Sequence, residues 1–328
     1  MTRWTLDRRQ LLIGLAGLAA PALARAQGPG GPGPQPPQNN PGGERRPDPL
    51  GQREMGSDDM GQTGPVSQPP RIRAFVLSQS YRATPRFALA NTTADAELIA
   101  RAFRRLDFDS VVHHGDGSPA ETAARIAAYL DSLDPNTIAL VYVAGHGVEI
   151  GGENLLLLEG AESFLSLQAL VQTMRQRAGI AILFLDACRN NPFGAEDAAR
   201  ARVSRAVALD SQGPVTLQTI GLAELSAAAG APGRLRAFQL QGSNIKIVFA
   251  TDPANVALDD VEGSRHSPFA AALARHIRRP YSLDDIVSHV TGEVVRVTRR
   301  AQYPWSQGSL GRPIYLSAPN RRRRSRQR

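Results

Sequence analysis

A single cysteine, Cys188, stands in a chain of 328 residues. An intrachain disulfide is therefore excluded, as is a thiolate-rich zinc site. Histidine is nearly as scarce, with six in the chain. His113, His114, His266, His276 and His289 fall on different elements without metal-ligand spacing, which assigns them to surface or packing roles and leaves no protein metal site to name. Aromatic residues make up 5% of the chain against 42% hydrophobic overall, so the core has to be built from Leu, Ile, Val and Ala. No Walker-type phosphate loop occurs, and Gly145-His146-Gly147 alone is too short to stand for one. Basic residues spread over one face with aromatics between them are also missing, so no nucleic-acid partner is expected.

The formal charge of +8 comes from the two ends of the chain. Removing residues 1–26 deletes four Arg and one Asp and takes +8 to +5; the six arginines of Arg321 to Arg328 exceed that remainder and leave the body near −1. The basic tail, residues 318–328, is expected to be a solvated end able to touch anionic surfaces. Residues 1–26 carry the marks of a signal peptide: Arg8-Arg9, an apolar run from Leu11 to Ala24, and Ala24-Arg25-Ala26 as a small-residue cleavage site. The paired arginines indicate the twin-arginine route and a periplasmic destination, and the apolar run is shorter than the ~20 residues that a membrane span needs. Residues 27–70 are rich in Gly, Pro and Gln, cannot bury enough apolar surface to offset ordering entropy, and read as a disordered linker.

Alternating strand and helix signals begin at Ile72–Leu77. A helix over Thr92 to Arg105 places Leu98, Ala102, Phe103 and Leu106 on one face. Asp109 to His113 is a second strand, and Ser118-Pro119-Ala120-Glu121 is a capping box opening a helix to Leu133. Ile138 to Ala144 and Ile180 to Leu185 are apolar, β-branched and non-alternating, as buried parallel strands are, and Ser166 to Arg177 between them has helical spacing. Gly151 to Asn154 suggests a small hairpin. Ile245 to Ala250 is a fifth strand, Ser267-Pro268 and Ser282-Leu283 open two helices, and Pro313 to Leu316 is expected to close the sheet. Such alternation predicts an α/β fold with a mostly parallel sheet and helices on both faces.

His146 follows one buried strand and Cys188 the next. Ligands bind at the carboxyl ends of strands in such sheets. Adjacent strands lie roughly 4.8 Å apart, so an imidazole and a thiol leaving neighbouring strands can meet. A thiolate nucleophile needs such a partner. An exported protein with one unpaired cysteine in a polar Asp186-Ala187-Cys188-Arg189 setting fits a reactive thiol better than an inert one. Backbone N–H groups of Gly147 and Cys188 are candidate oxyanion donors.

Tyr142-Val-Ala-Gly-His-Gly-Val-Glu149 and Leu185-Asp-Ala-Cys-Arg-Asn-Asn-Pro-Phe193 resemble the His and Cys boxes of the caspase and metacaspase family of cysteine peptidases, in order and 42 residues apart from His146 to Cys188. The resemblance covers residues 71–317, with 71–193 like the larger segment, 194–243 between segments, and 244–317 like the smaller one. It implies a three-layer sandwich on a six-stranded, mostly parallel sheet, and a His146–Cys188 dyad. By the same resemblance to metacaspases, Asp95 and Asp186 would bind an Arg or Lys side chain of a peptide or protein substrate just before the cut. Asp252, past the fifth strand, would lie near the same cleft. Some metacaspases use calcium, which makes Glu149 and Glu153 candidate ligands; no cofactor is otherwise implied. Arg200, Arg202, Arg205, Arg234 and Arg236 are candidate self-cleavage sites. The competing expectation is a catalytically inactive interaction module on the same fold, and a third is a hydrolase or transferase of another kind, since fold alone does not fix chemistry.

Overall fold

In the computed structural model the described residues are 69–150, 152–160, 162–188, 201–208, 213–221, 235–239, 242–252, 257–258 and 264–317. The signal peptide, most of the linker and the basic tail lie outside them, as do Arg200 and Arg234. Among the described residues no helix is long and apolar enough to cross a membrane.

Among the described residues six strands form the main sheet, in the order β2 (Ser110–His114), β1 (Arg71–Ser78), β3 (Thr137–Ile150), β6 (Ile180–Cys188), β9 (Ile245–Phe249) and β10 (Trp305–Gln307). The first five are parallel and β10 closes the edge antiparallel. This is the six-stranded, mostly parallel sheet that the sequence leads one to expect. The outer end of β3 overhangs it and carries a side extension of β4 (Glu153–Leu157), β5 (Ser163–Ser166), β7 (Arg202–Ala208) and β8 (Val215–Gly221).

Helices cover both faces. On β3 and β6 side chains alternate between two cores, as the period of two in a strand requires. Ile138, Leu140, Tyr142, Ile180, Ile182 and Phe184 pack toward α1 (Thr92–Arg104), α4 (Pro268–His276) and α5 (Leu283–Val297). Ala139, Val141, Val143, Ala181, Leu183 and Leu185 pack toward α2 (Pro119–Asp131) and α3 (Leu167–Arg177). Both strands are buried on both faces, which is why neither alternates polar with apolar. The Ser118 capping box is present, Ser166, Ser267 and Ser282 cap their helices through side-chain oxygens, and Pro follows the cap in α2 and α4.

One expectation needs correcting, and one region carries strands that the sequence did not announce. The closing strand is Trp305–Gln307, paired with Ile247 to Phe249, and not Pro313 to Leu316. Ile314 and Leu316 are buried among the α1, α4 and α5 side chains, and the Ile314 carbonyl accepts the Leu283 N–H at 2.7 Å, so that segment anchors the start of α5. The intersegment region is also less loose than its composition suggests. Residues Arg202–Ala208 and Val215–Gly221 form an antiparallel pair, and β7 pairs in addition with β5.

Candidate active site

β1 ends at Ser78 opposite Ala144 of β3, and β9 ends at Phe249 opposite Leu185 of β6. The β3/β6 pair runs on past both neighbours, and its last rungs are Ala144 with Asp186, Gly145 with Ala187, and His146 with Cys188. His146 and Cys188 are thus backbone partners on adjacent parallel strands, beyond the carboxyl edge of the sheet.

The surroundings of His146 fix its orientation. Its Nε2 lies 2.7 Å from the Phe87 carbonyl oxygen, at the end of the 3-10 turn Pro85–Phe87. A carbonyl only accepts, so Nε2 carries the proton and the lone pair of the neutral ring sits on Nδ1. The His146 backbone N–H donates to the Tyr81 hydroxyl at 2.9 Å, and that hydroxyl donates to the Leu157 carbonyl at 2.9 Å. The two rings lie 4.8 Å apart between centroids. Tyr81 is fully buried and holds φ at 56°, a left-handed conformation that a bulky residue adopts only when its surroundings impose it.

The loop after β1 supplies that constraint. Gln79 donates its amide to the Ser78 and Gly115 carbonyls at 2.8 and 3.2 Å and accepts the Glu159 N–H at 2.7 Å. Ser80 donates its backbone N–H to Asp116 at 2.6 Å and bonds the same carboxylate through its hydroxyl. The glycines beside His146 leave no room for larger residues. A Cβ on Gly145 would come within 2.8 Å of the Tyr81 hydroxyl, and one on Gly147 within 2.5 Å of Leu235.

Asp95 and Asp186, far apart in sequence, meet at one small cleft with Leu89, Thr92, Ala144, Gly145, Leu258 and Ser267. Asp186 shares the sheet face of Tyr142, and its Oδ2 accepts from the Tyr142 hydroxyl at 2.9 Å and the Ser267 hydroxyl at 2.6 Å. Asp95 is 1% exposed; it accepts the Ser267 N–H at 3.1 and 3.2 Å and lies 2.9 Å from His266 Nδ1. Ser267 therefore ties the two acids together, N–H to one and O–H to the other, while its oxygen accepts the Ala270 N–H as the cap of α4. Each buried carboxylate is matched by several donors, as burial of a charge demands.

Sequence reasoning missed Tyr81, Tyr142, His266, Ser267 and the Phe87 carbonyl. Two signals were available: Tyr142 is a polar-tipped residue in an otherwise apolar strand, and Ser267-Pro268 is a strong cap beside a histidine. His266 does not line the cleft itself but stands behind Asp95, 2.9 Å from its Oδ1, a role beyond general packing. Asp252 does not line the cleft. Glu149 and Glu153 each face an arginine: Arg236 Nε lies 3.1 Å from Glu149, and Arg205 engages Glu153 through Nε and Nη2. No group of three or more acids, histidines or cysteines suited to a metal occurs among the described residues.

A parallel sheet of this order, with helices on both faces and an acidic cleft beside its overhanging strand pair, has the architecture of a caspase-like α/β domain. The chain belongs to the caspase-domain family of cysteine peptidases, whose family model matches residues 71–315. Among solved structures it is similar to caspase-1 from Spodoptera frugiperda, at 15% identity and a TM-score of 0.51, covering 77% of this chain and 92% of that one. No curated protein matches the sequence.

Proposed function

We propose that the protein is an exported cysteine endopeptidase that cuts after Arg or Lys. The observation that carries this reading is the pairing of His146 with Cys188 at the last rung of the β3/β6 pair, two rungs from Asp186 in the cleft. His146 Nδ1 takes the Cys188 proton, and the thiolate attacks the substrate carbonyl carbon. The tetrahedral oxyanion is held by the Gly147 and Cys188 N–H groups. The imidazolium then protonates the departing amine, leaving a thioester on Cys188. Water, deprotonated by His146, attacks the thioester; the acid product leaves and Cys188 regains its proton.

Asp95 and Asp186 supply the side-chain pocket. A guanidinium between two carboxylates is a strong, directional arrangement, so Arg is expected to be preferred to Lys. The cleft as it stands has free space of about 10 Å³, roughly one water. Substrate entry thus requires the cleft to widen. The test is hydrolysis of fluorogenic peptides ending in Arg, Lys or Asp by the mature protein, with and without calcium. Preference for Asp would retain the peptidase and remove the roles of Asp95 and Asp186.

Tyr81→Phe removes the acceptor of the His146 N–H and the donor to Leu157. One lost hydrogen bond of about 1 kcal/mol corresponds to a roughly fivefold fall in kcat, with KM little changed. An unaltered kcat would show that Tyr81 serves folding alone.

Self-processing is expected to spare Arg202 and Arg205, because β7 is paired with β5 at Arg202 to Ser204 and with β8 throughout, and Arg205 is held by Glu153. Mass spectrometry of protein incubated for long periods should find new termini elsewhere, with Arg200, Arg234 and Arg236 the remaining candidates. Termini after Arg202 or Arg205 would mean that β7 opens before cleavage. Export through the twin-arginine route is tested by cell fractionation and by whether the mature chain starts at Gln27.

A further inference from the structure

His266 stands between two environments. On one side its Nδ1 meets Asp95 Oδ1 at 2.9 Å, at the wall of the acidic cleft. On the other it lines a groove of about 320 Å³ between α1 and α4, where Arg101, Arg105, Arg275 and Arg278 are the charged side chains. The turn that carries it is fixed: the Ser264 hydroxyl donates to the His266 carbonyl at 2.8 Å and accepts the His266 N–H at 3.1 Å. The ring is thereby aimed at Asp95 by its own backbone. Ser267, the next residue, bonds both acids of the cleft.

We infer that His266 determines the specificity of the cleft by setting the charge that Asp95 presents. As a neutral ring, His266 donates Nδ1–H to Asp95 Oδ1, orients the carboxylate and leaves its full negative charge to a cationic side chain. As an imidazolium, it makes the same hydrogen bond but supplies the counter-charge itself, and a substrate Arg or Lys meets a cleft with one uncompensated acid instead of two. The inference deepens the proposed Arg/Lys peptidase and rests on that reading.

The groups facing His266 set the direction of its titration. Burial comes first, then the positive charges of Arg101 on α1 and Arg265 in its own turn, and together they hold the imidazole below its usual 6.5. Arg105, Arg275 and Arg278 share the groove and act with the same sign, whereas Asp95, and Asp186 beyond Ser267, act with the opposite one. At neutral pH the ring is accordingly uncharged and the cleft is ready for a cation. A bound substrate cation disfavours the imidazolium further, so acid should raise KM more than it lowers kcat.

The dyad also titrates, so the test must cancel it. Hydrolysis of paired substrates ending in Arg or in neutral, isosteric citrulline is measured from about pH 7.5 to about pH 5, a range that spans histidine protonation. The Arg-to-citrulline ratio of kcat/KM should fall about tenfold toward acid in the wild type, the worth of one charge-assisted contact. His266→Asn keeps a side-chain N–H near the place of Nδ1–H but cannot titrate; it should keep the neutral-pH ratio and lose its acid fall. His266→Ala removes the titrating ring as well and should likewise lose the acid fall. A ratio independent of pH in the wild type, or an acid fall retained in His266→Asn, would overturn the inference. Wild-type protein that cleaves neither substrate overturns the peptidase reading instead, and cleavage that favours citrulline at every pH removes the acidic pocket and the inference with it.

Discussion

Cys188→Ala is expected to abolish hydrolysis after Arg, with a loss of at least about 10⁴-fold in kcat, and His146→Ala to do the same. In the proposed mechanism the two residues act as one unit: without the imidazole nothing takes the thiol proton, and without the sulfur the imidazole has no nucleophile to activate. The double variant should therefore be no worse than either single one, because effects within such a unit are not additive. The last rung of the β3/β6 pair is a backbone feature, so these substitutions should leave the circular dichroism spectrum unchanged. Residual activity within tenfold of the wild type in Cys188→Ala would place the chemistry elsewhere. Wild-type protein that is inactive in every condition, with a Cys188 that resists iodoacetamide at neutral pH, would favour the interaction module.

The sheet was legible because its strands are buried on both faces. Ile138 to Ala144 and Ile180 to Leu185 could hardly be anything else, and the serine caps of α2, α3, α4 and α5 announce themselves locally. The adjacency of His146 and Cys188 was legible for the same reason, since strand ends joined by one helical crossover are neighbours in a parallel sheet. Features depending on long-range contacts were not. β7 and β8 carry many polar residues because one face of the side extension is open, so their period gave no buried run to read. Pro313 to Leu316 has strand composition, yet the edge of β9 was taken by Trp305–Gln307, where Trp305 stacks on Phe249 at 4.5 Å. The Phe87 carbonyl escaped notice because a backbone acceptor has no signature in side-chain sequence. Tyr81 escaped because its role depends on a left-handed backbone whose neighbours Gln79 and Ser80 are tied to Gly115, Asp116 and Glu159, on two other segments.

Asp95→Asn and Asp186→Asn are expected to separate activity from stability. Each carboxylate is buried and held by hydroxyl, backbone or imidazole donors, and the two acids face one cleft. Such an arrangement is costly in the empty protein, because like charges are confined away from water, and becomes favourable once a guanidinium enters. Asparagine keeps an acceptor oxygen for Tyr142 and Ser267 while deleting the charge. Removing one partner of a buried, hydrogen-bonded charge pair costs about 3 kcal/mol, so kcat/KM for Arg-ending substrates should fall about 100-fold, chiefly through KM, while citrulline-ending substrates lose little. The empty variants should melt at the same temperature as the wild type or higher, the sign expected when a site trades stability for binding. Equal losses for Arg and citrulline together with a lower melting temperature would make both acids structural, with Asp95 serving the start of α1 and Asp186 bracing Tyr142 and Ser267. A loss confined to Arg and Lys in both variants would identify the cleft as the seat of specificity, and would explain why Ser267, a helix cap by position, gives its N–H and its O–H to two different carboxylates.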